Sequence, residues 1–154
     1  MATSRLVAYF EDYEKFHRTL GNRRSHVVGI PLIVVGLLGL LAGLELGWEV
    51  PGGLLRLDVG VVVVTAVSLF YIWLDLKIGV AFDFVLAGFY FLGRALNAPW
   101  AWGLFILGWI LQAVGHAYYE RKSPAFFKNL THLLIGPVWI FSNVIGCAGK
   151  EEHQ

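Results

Sequence analysis

Five apolar stretches limit what this chain can fold into. Val27–Leu44, Val59–Leu74, Ala95–Tyr119 and Asn129–Gly149 contain no Asp, Glu, Lys or Arg, and Ile78–Gly93 is interrupted only by Asp83. A helix that crosses a bilayer needs about 20 consecutive, mostly apolar residues. The first and fourth stretches meet that length, and the second meets it with its flanks. The third carries Asp83, and the fifth carries Pro137. The 154 residues are 57% hydrophobic and 15% charged, with a mean hydropathy of +0.65. Soluble domains lie nearer half apolar and a quarter charged, and one this small cannot hide so much apolar surface. The pattern predicts one all-α domain over 1–154: an integral membrane bundle of four to five helices, with spans near 27–47, 57–76, 78–96, 101–120 and 129–148. The 18 glycines suit helices that approach closely in lipid.

The first 26 residues, MATSRLVAYFEDYEKFHRTLGNRRSH, are charged throughout and lack the apolar core of a signal peptide. Leu6, Tyr9, Phe10, Tyr13 and Phe16 recur at helical spacing, which predicts an amphipathic helix in the membrane interface or over the mouth of the bundle. A net charge of +1 gives no case for nucleic acid. A lone cysteine, Cys147, excludes an internal disulfide and a cysteine-based metal cluster. It reads as a small apolar helix residue.

If all five stretches span, one side holds Arg5, Lys15, Arg18, Arg23, Arg24, Lys77, Arg121, Lys122 and Lys128, and the other Arg56, Arg94 and Lys150. Basic residues concentrate in the cytoplasm, so the N-terminus is expected there. His17, His26, His116 and His132 then fall at that same face, and only His153 lies apart, in the tail. Gln112, His116 and Glu120 are four apart and share a helix stripe, as do Asn22 and His26. His17 and His26 are out of phase on one continuous helix, so a break at Leu20–Asn22 is expected to bring them together. Imidazoles with a carboxylate and no thiolate suit Fe(II), Zn or Mn. Ionisable residues inside a membrane are costly and are functional candidates.

Each of these residues also has a structural reading. An interfacial histidine is comfortable without a ligand, and Glu120 can pair with Arg121 or Lys122. Asn22 can cap a helix, and Gln112 can bridge helices. Asp83 can partner a histidine or Lys77.

Two blocks carry a family resemblance. HRTLGNRRSHVVGIPL contains His17, Asn22, His26, Gly29 and Pro31; QAVGHAYYERKSPAFFKNL contains Gln112, Gly115, His116, Glu120, Pro124 and Ala125. In this order, with apolar spans between, they resemble the small membrane family of 2-hydroxy fatty acid dioxygenases, which has a yeast endoplasmic-reticulum member. The resemblance implies an Fe(II)-dependent dioxygenase that uses O2 and shortens a long-chain 2-hydroxy fatty acid by one carbon in alpha-oxidation. It implies metal ligation by His17, His26 and His116, with His132 as a further ligand or a partner of one. Glu120, Asn22 and Gln112 match the family's polar positions and are candidate catalytic groups. Arg23, Arg24, Arg121 and Lys122 are candidate partners of the substrate carboxylate. The short tail suggests a bacterial relative in the inner membrane; a eukaryotic one would sit in the endoplasmic reticulum. Two other classes stay open: a zinc-dependent lipid hydrolase, and a non-enzymatic metal- or haem-binding membrane protein.

Overall fold

The structure, a computed structural model, describes residues 2–49, 56–121 and 129–146. Lys122, Pro124, Ala125, Lys128, Cys147 and His153 lie outside the described residues. Among the described residues, six α-helices run in chain order: α1 (Ser4–Glu14), α2 (Leu20–Ala42), α3 (Val59–Leu74), α4 (Leu76–Arg94), α5 (Ala98–Val114) and α6 (Thr131–Val144). A π-helical segment, Gly115–Glu120, continues α5 without a break. The fold is the all-α membrane bundle that the apolar stretches predict. Among the described residues, three helical stretches are long and apolar enough to cross a bilayer: Leu20–Ala42, Leu76–Arg94 and Ala98–Glu120. At 1.5 Å per residue they measure about 34, 28 and 34 Å, against a hydrocarbon layer of about 30 Å. Apolar α3 is shorter, at 16 residues, and α6 has 14. Phe84, Leu69, Trp100 and Val144 point outward and are well exposed, which suits lipid rather than water.

Two features depart from the expected spans. Residues Glu45–Glu49 (β1) and Arg56–Asp58 (β2) pair as a small antiparallel hairpin instead of lengthening the helices beside them. Gly43 ends α2, and Gly47 adopts a positive φ of 74° that only glycine takes freely. Asp58 then starts α3: its Oδ1 accepts from Val61 N at 2.9 Å, and its Oδ2 accepts from the Tyr90 hydroxyl at 2.6 Å. The second departure is the helix break near the N-terminus. It falls at 15–19, not at Leu20–Asn22, which form the first turn of α2. Thr19 caps that turn, its hydroxyl accepting from Asn22 N. Gly21 is there for closeness: a Cβ would run into the Tyr119 ring.

Helix packing follows the glycines. A Cβ on Gly36 would lie 2.6 Å from Ala101 O and Phe105 N, and one on Gly108 would lie 2.7 Å from Gly29 O. These contacts hold α2 and α5 backbone to backbone. Gly39 against Gly93 does the same for α2 and α4, and Gly79 against Tyr71 for α4 and α3. The central core is Leu38, Phe82, Leu86, Ile135 and Val138.

Helix α1 lies over the end of the bundle where α2, α4 and α6 begin. Thr3 N donates to Asp75 Oδ2 at 2.8 Å, the Thr3 hydroxyl to Leu74 O at 2.6 Å, and Arg5 to Trp73 O at 2.7 Å. Its Leu6, Phe10 and Tyr13 face the core. Asp83 lies two turns into α4, where its Oδ1 is buried with no hydrogen-bond partner, so that atom pairs with neither a histidine nor Lys77.

Gly36→Val should separate α2 from α5 and cost about 1–3 kcal/mol. Gly103→Val, at a position with open space around it, should cost little. Thermal unfolding of the two variants in the same detergent checks the pair.

Candidate metal centre

His17 sits in the turn after α1, His26 nearly two turns into α2, and His116 in the π-helical segment. All three are buried, and one nitrogen from each lies within 4.8 Å of the others. Their rings stand edge-to-face, with centroids 4.5–5.0 Å apart. Local structure fixes the two N-terminal rings. His17 Nδ1 lies 2.7 Å from Tyr13 O, and His26 Nδ1 lies 2.9 Å from Asn22 O. A carbonyl only accepts, so each Nδ1 carries the proton and each Nε2 presents a lone pair. The two Nε2 atoms are 3.1 Å apart. Two lone pairs facing each other at that distance repel unless a cation lies between or beside them. Burial pushes the His17 imidazole down to about 4, so a proton is a poor candidate for that cation at neutral pH. Backbone-anchored Nδ1–H groups with free Nε2 atoms are the usual arrangement around a ligated metal. His116 Nδ1 is buried without a partner. The donor set therefore fits a metal ion.

Glu120 holds the turn that carries His17. One oxygen accepts from Arg18 N at 3.2 Å. The other accepts from Thr19 N at 3.1 Å, the Thr19 hydroxyl at 2.9 Å and Asn22 Nδ2 at 3.2 Å. These bonds tie the end of the π segment to the N-terminal arm. His116 and Glu120, four apart on this segment, are both buried and face inward. Arg121 follows with φ 52° and turns the chain away. Gly115 lets α2 come close: a Cβ there would lie 2.5 Å from Asn22 Oδ1.

The other candidates divide. Asn22 is fully buried, with Nδ2 bonded to Phe16 O and Glu120 and with Oδ1 unpartnered. Gln112 is buried with Nε2 unpartnered. His132 stands outside the three-histidine group. Its Nε2 lies 2.8 Å from Asp12 Oδ2, while its buried Nδ1 has no partner. Arg23 is tied to His17 O at 2.7 Å and lies over the Trp139 ring. Arg24 and Arg121 are exposed. Sequence reading did not single out Asp12, Tyr13 or Thr19. Tyr13 stacks on His17 at 3.9 Å, and burial raises its hydroxyl pKa. Spacing from the N-terminal histidine could have pointed to Tyr13, four residues earlier.

The four histidines and Gln112 share one cavity of about 370 Å³. Among the described residues that line it, none is Lys, Arg, Asp or Glu.

Two comparisons bear on this arrangement. The profile of a family described as 2-hydroxy-palmitic acid dioxygenase Mpo1-like matches residues 3–147. A 39-residue segment is 46% identical to the yeast (Saccharomyces cerevisiae) protein named 2-hydroxy-palmitic acid dioxygenase MPO1. That match covers 25% of this chain and 22% of the yeast protein, so the chain spans about a fifth of that relative's length. No solved structure matches.

Replacing Glu120 by Gln should leave buried N–H groups poorly paired and cost about 2 kcal/mol or more, measured as a fall in thermal stability. Asp12 gives a pH signature. Its hydrogen bond to His132 holds its carboxyl below the ordinary 3.8. A depressed acid stabilises the fold in full above its ordinary value and loses that contribution as pH falls through the depressed one. Unfolding midpoints should therefore drop on acidification below about 3.8 by less in Asp12→Asn than in the native protein.

Proposed function

The chain belongs to the Mpo1-like family, and we propose that it is an Fe(II)-dependent dioxygenase that shortens 2-hydroxy fatty acids by one carbon. The observation that carries the reading is the pair of histidine Nε2 atoms 3.1 Å apart, each with its other nitrogen anchored on a carbonyl. His116 completes a three-imidazole donor set that would hold the ion, and three protein ligands leave positions open for small molecules. A bound iron(II) ion would supply activation of O2 for scission of the C1–C2 bond.

The remaining residues act on the substrate's polar end. A 2-hydroxy acid brings one strong acceptor, its carboxylate, and one donor, its hydroxyl. The cavity holds complementary groups without partners. Gln112 Nε2 donates, and the His132 ring, with its Nε2 held at Asp12, presents its buried Nδ1 without a partner. In this role His132 orients the hydroxyl and does not ligate the ion. Glu120, with four bonds accepted, positions the His17 turn. Arg23 holds the His17 carbonyl, so the carboxylate meets amide and imidazole groups instead of a guanidinium. The bundle would sit in a membrane with the histidine end in the cytoplasm, which the basic residues Arg5, Lys15, Arg18, Arg23, Arg24 and Lys77 at that end support.

Metal analysis of gently purified protein should find about one iron per chain, given a single three-histidine group. Oxygen uptake should occur with 2-hydroxypalmitate and not with palmitate. His116→Ala should lose both iron and uptake, a drop of about a hundredfold or more, while the protein stays folded in the membrane. Zinc without oxygen uptake would replace this reading with that of a hydrolase.

A further inference from the structure

The cavity continues well past the histidines. Beyond its polar end the walls are aliphatic and aromatic. Leu38, Val64, Leu86 and Phe105 lie at the far end, contributed by α2, α3, α4 and α5. Leu38 comes twelve residues after His26 on the same helix, about 18 Å at 1.5 Å per residue. That depth matches an extended acyl chain of roughly fourteen carbons.

The cavity also has an open side. The glycine contacts fasten α5 to α2, α4 to α2 and α3 to α4. Tyr71 fastens α3 to α6, its hydroxyl donating to Leu134 O at 2.6 Å. Among the described residues, α5 has no packing of comparable extent against α3 or α6. Val67 on α3 and Trp109 on α5 line the cavity on either side of this seam. Both helices are apolar at that level, so the seam faces hydrocarbon and not water.

We propose that this cavity is a slot for one acyl chain that opens sideways into the bilayer between α5 and α3. The lipid acid slides in from within the membrane with its carboxyl end leading to the histidines. Leu38, Val64, Leu86 and Phe105 form the floor that sets the longest chain accepted. The occupant follows from the lining: one polar end with unpartnered hydrogen-bonding groups, one long apolar stem, and no room for a second chain. The proposal rests on the lipid-acid reading above, but its test needs neither iron nor turnover.

The full chain, in phosphatidylcholine vesicles, is photolabelled with 2-hydroxypalmitate carrying a diazirine near its chain end, and the labelled residues are mapped by mass spectrometry. Label should fall on Val64 and Phe105 and be displaced by excess unlabelled 2-hydroxypalmitate. Val64→Trp should weaken that labelling by about tenfold or more, the scale of expelling two buried methylenes, yet leave a ten-carbon probe bound. Val64→Ala should admit longer chains. Val67→Trp, at the seam, should slow the onset of labelling without moving its position. Label confined to the outward-facing Val62, Phe84 and Ile106, or undisplaced by competitor, would overturn the slot. An unchanged onset in Val67→Trp would overturn the lateral entrance. Displaceable labelling at the floor without oxygen uptake would leave the slot standing and remove the dioxygenase reading.

Discussion

The geometry of this site depends on one buried carboxylate. Glu120 collects donors from Arg18, Thr19 and Asn22, about a hundred residues earlier in the chain. Without it, the turn that carries His17 would lose these hydrogen bonds to the segment that carries His116. Anionic acceptors form the stronger hydrogen bonds, and unpaired buried N–H groups are costly. The clamp therefore makes the histidine triangle a property of the fold, because the turn cannot move without leaving those groups unpaired. This division of labour also explains why so polar a group can sit at the end of a membrane helix: its charge is met by fixed dipoles from main chain and side chain.

The bundle beneath is held differently. In lipid there is little hydrophobic drive to bring helices together, so close backbone approach matters more. Gly36 and Gly108 bring α5 against α2 along much of its length, and Gly39 with Gly93 brings in α4. Helix α5 is thereby committed to one neighbour. The cavity lies beside this α2–α5 pair and is walled by both helices together with α3 and α6.

Much of this was legible in the sequence, and the exceptions have physical causes. The apolar runs announced the bundle because lipid leaves a helix few alternatives. His26 beside Asn22, and His116 between Gln112 and Glu120, could be grouped because four-residue spacing survives folding on a helix. The placement of the break failed because Gly21 reads as a turn signal, whereas its role is contact with Tyr119; Thr19, the true cap, looks ordinary. The hairpin at Glu45–Glu49 and Arg56–Asp58 escaped notice because its strands are short, five and three residues. His132 looked like a ligand because it lies at the same level as the others. Its partner, Asp12, sits 120 residues away, and no spacing rule reaches that far. For the arginines too, position on a helix does not say where a guanidinium turns: that of Arg23 turns to the His17 carbonyl.

The π-helical segment has an evolutionary consequence. Such segments arise when a helix gains a single residue without being interrupted. Removing one residue between Gly115 and Glu120 would restore α-helical register. The span itself would survive, since the lipid-facing surface of α5 lies before the change. His116 and Glu120 would then stand three apart, a spacing that still shares one face of an α-helix. The histidine group and its carboxylate could therefore predate the extra residue, and the π turn is then a later adjustment of the carboxylate's reach within a bundle that already existed.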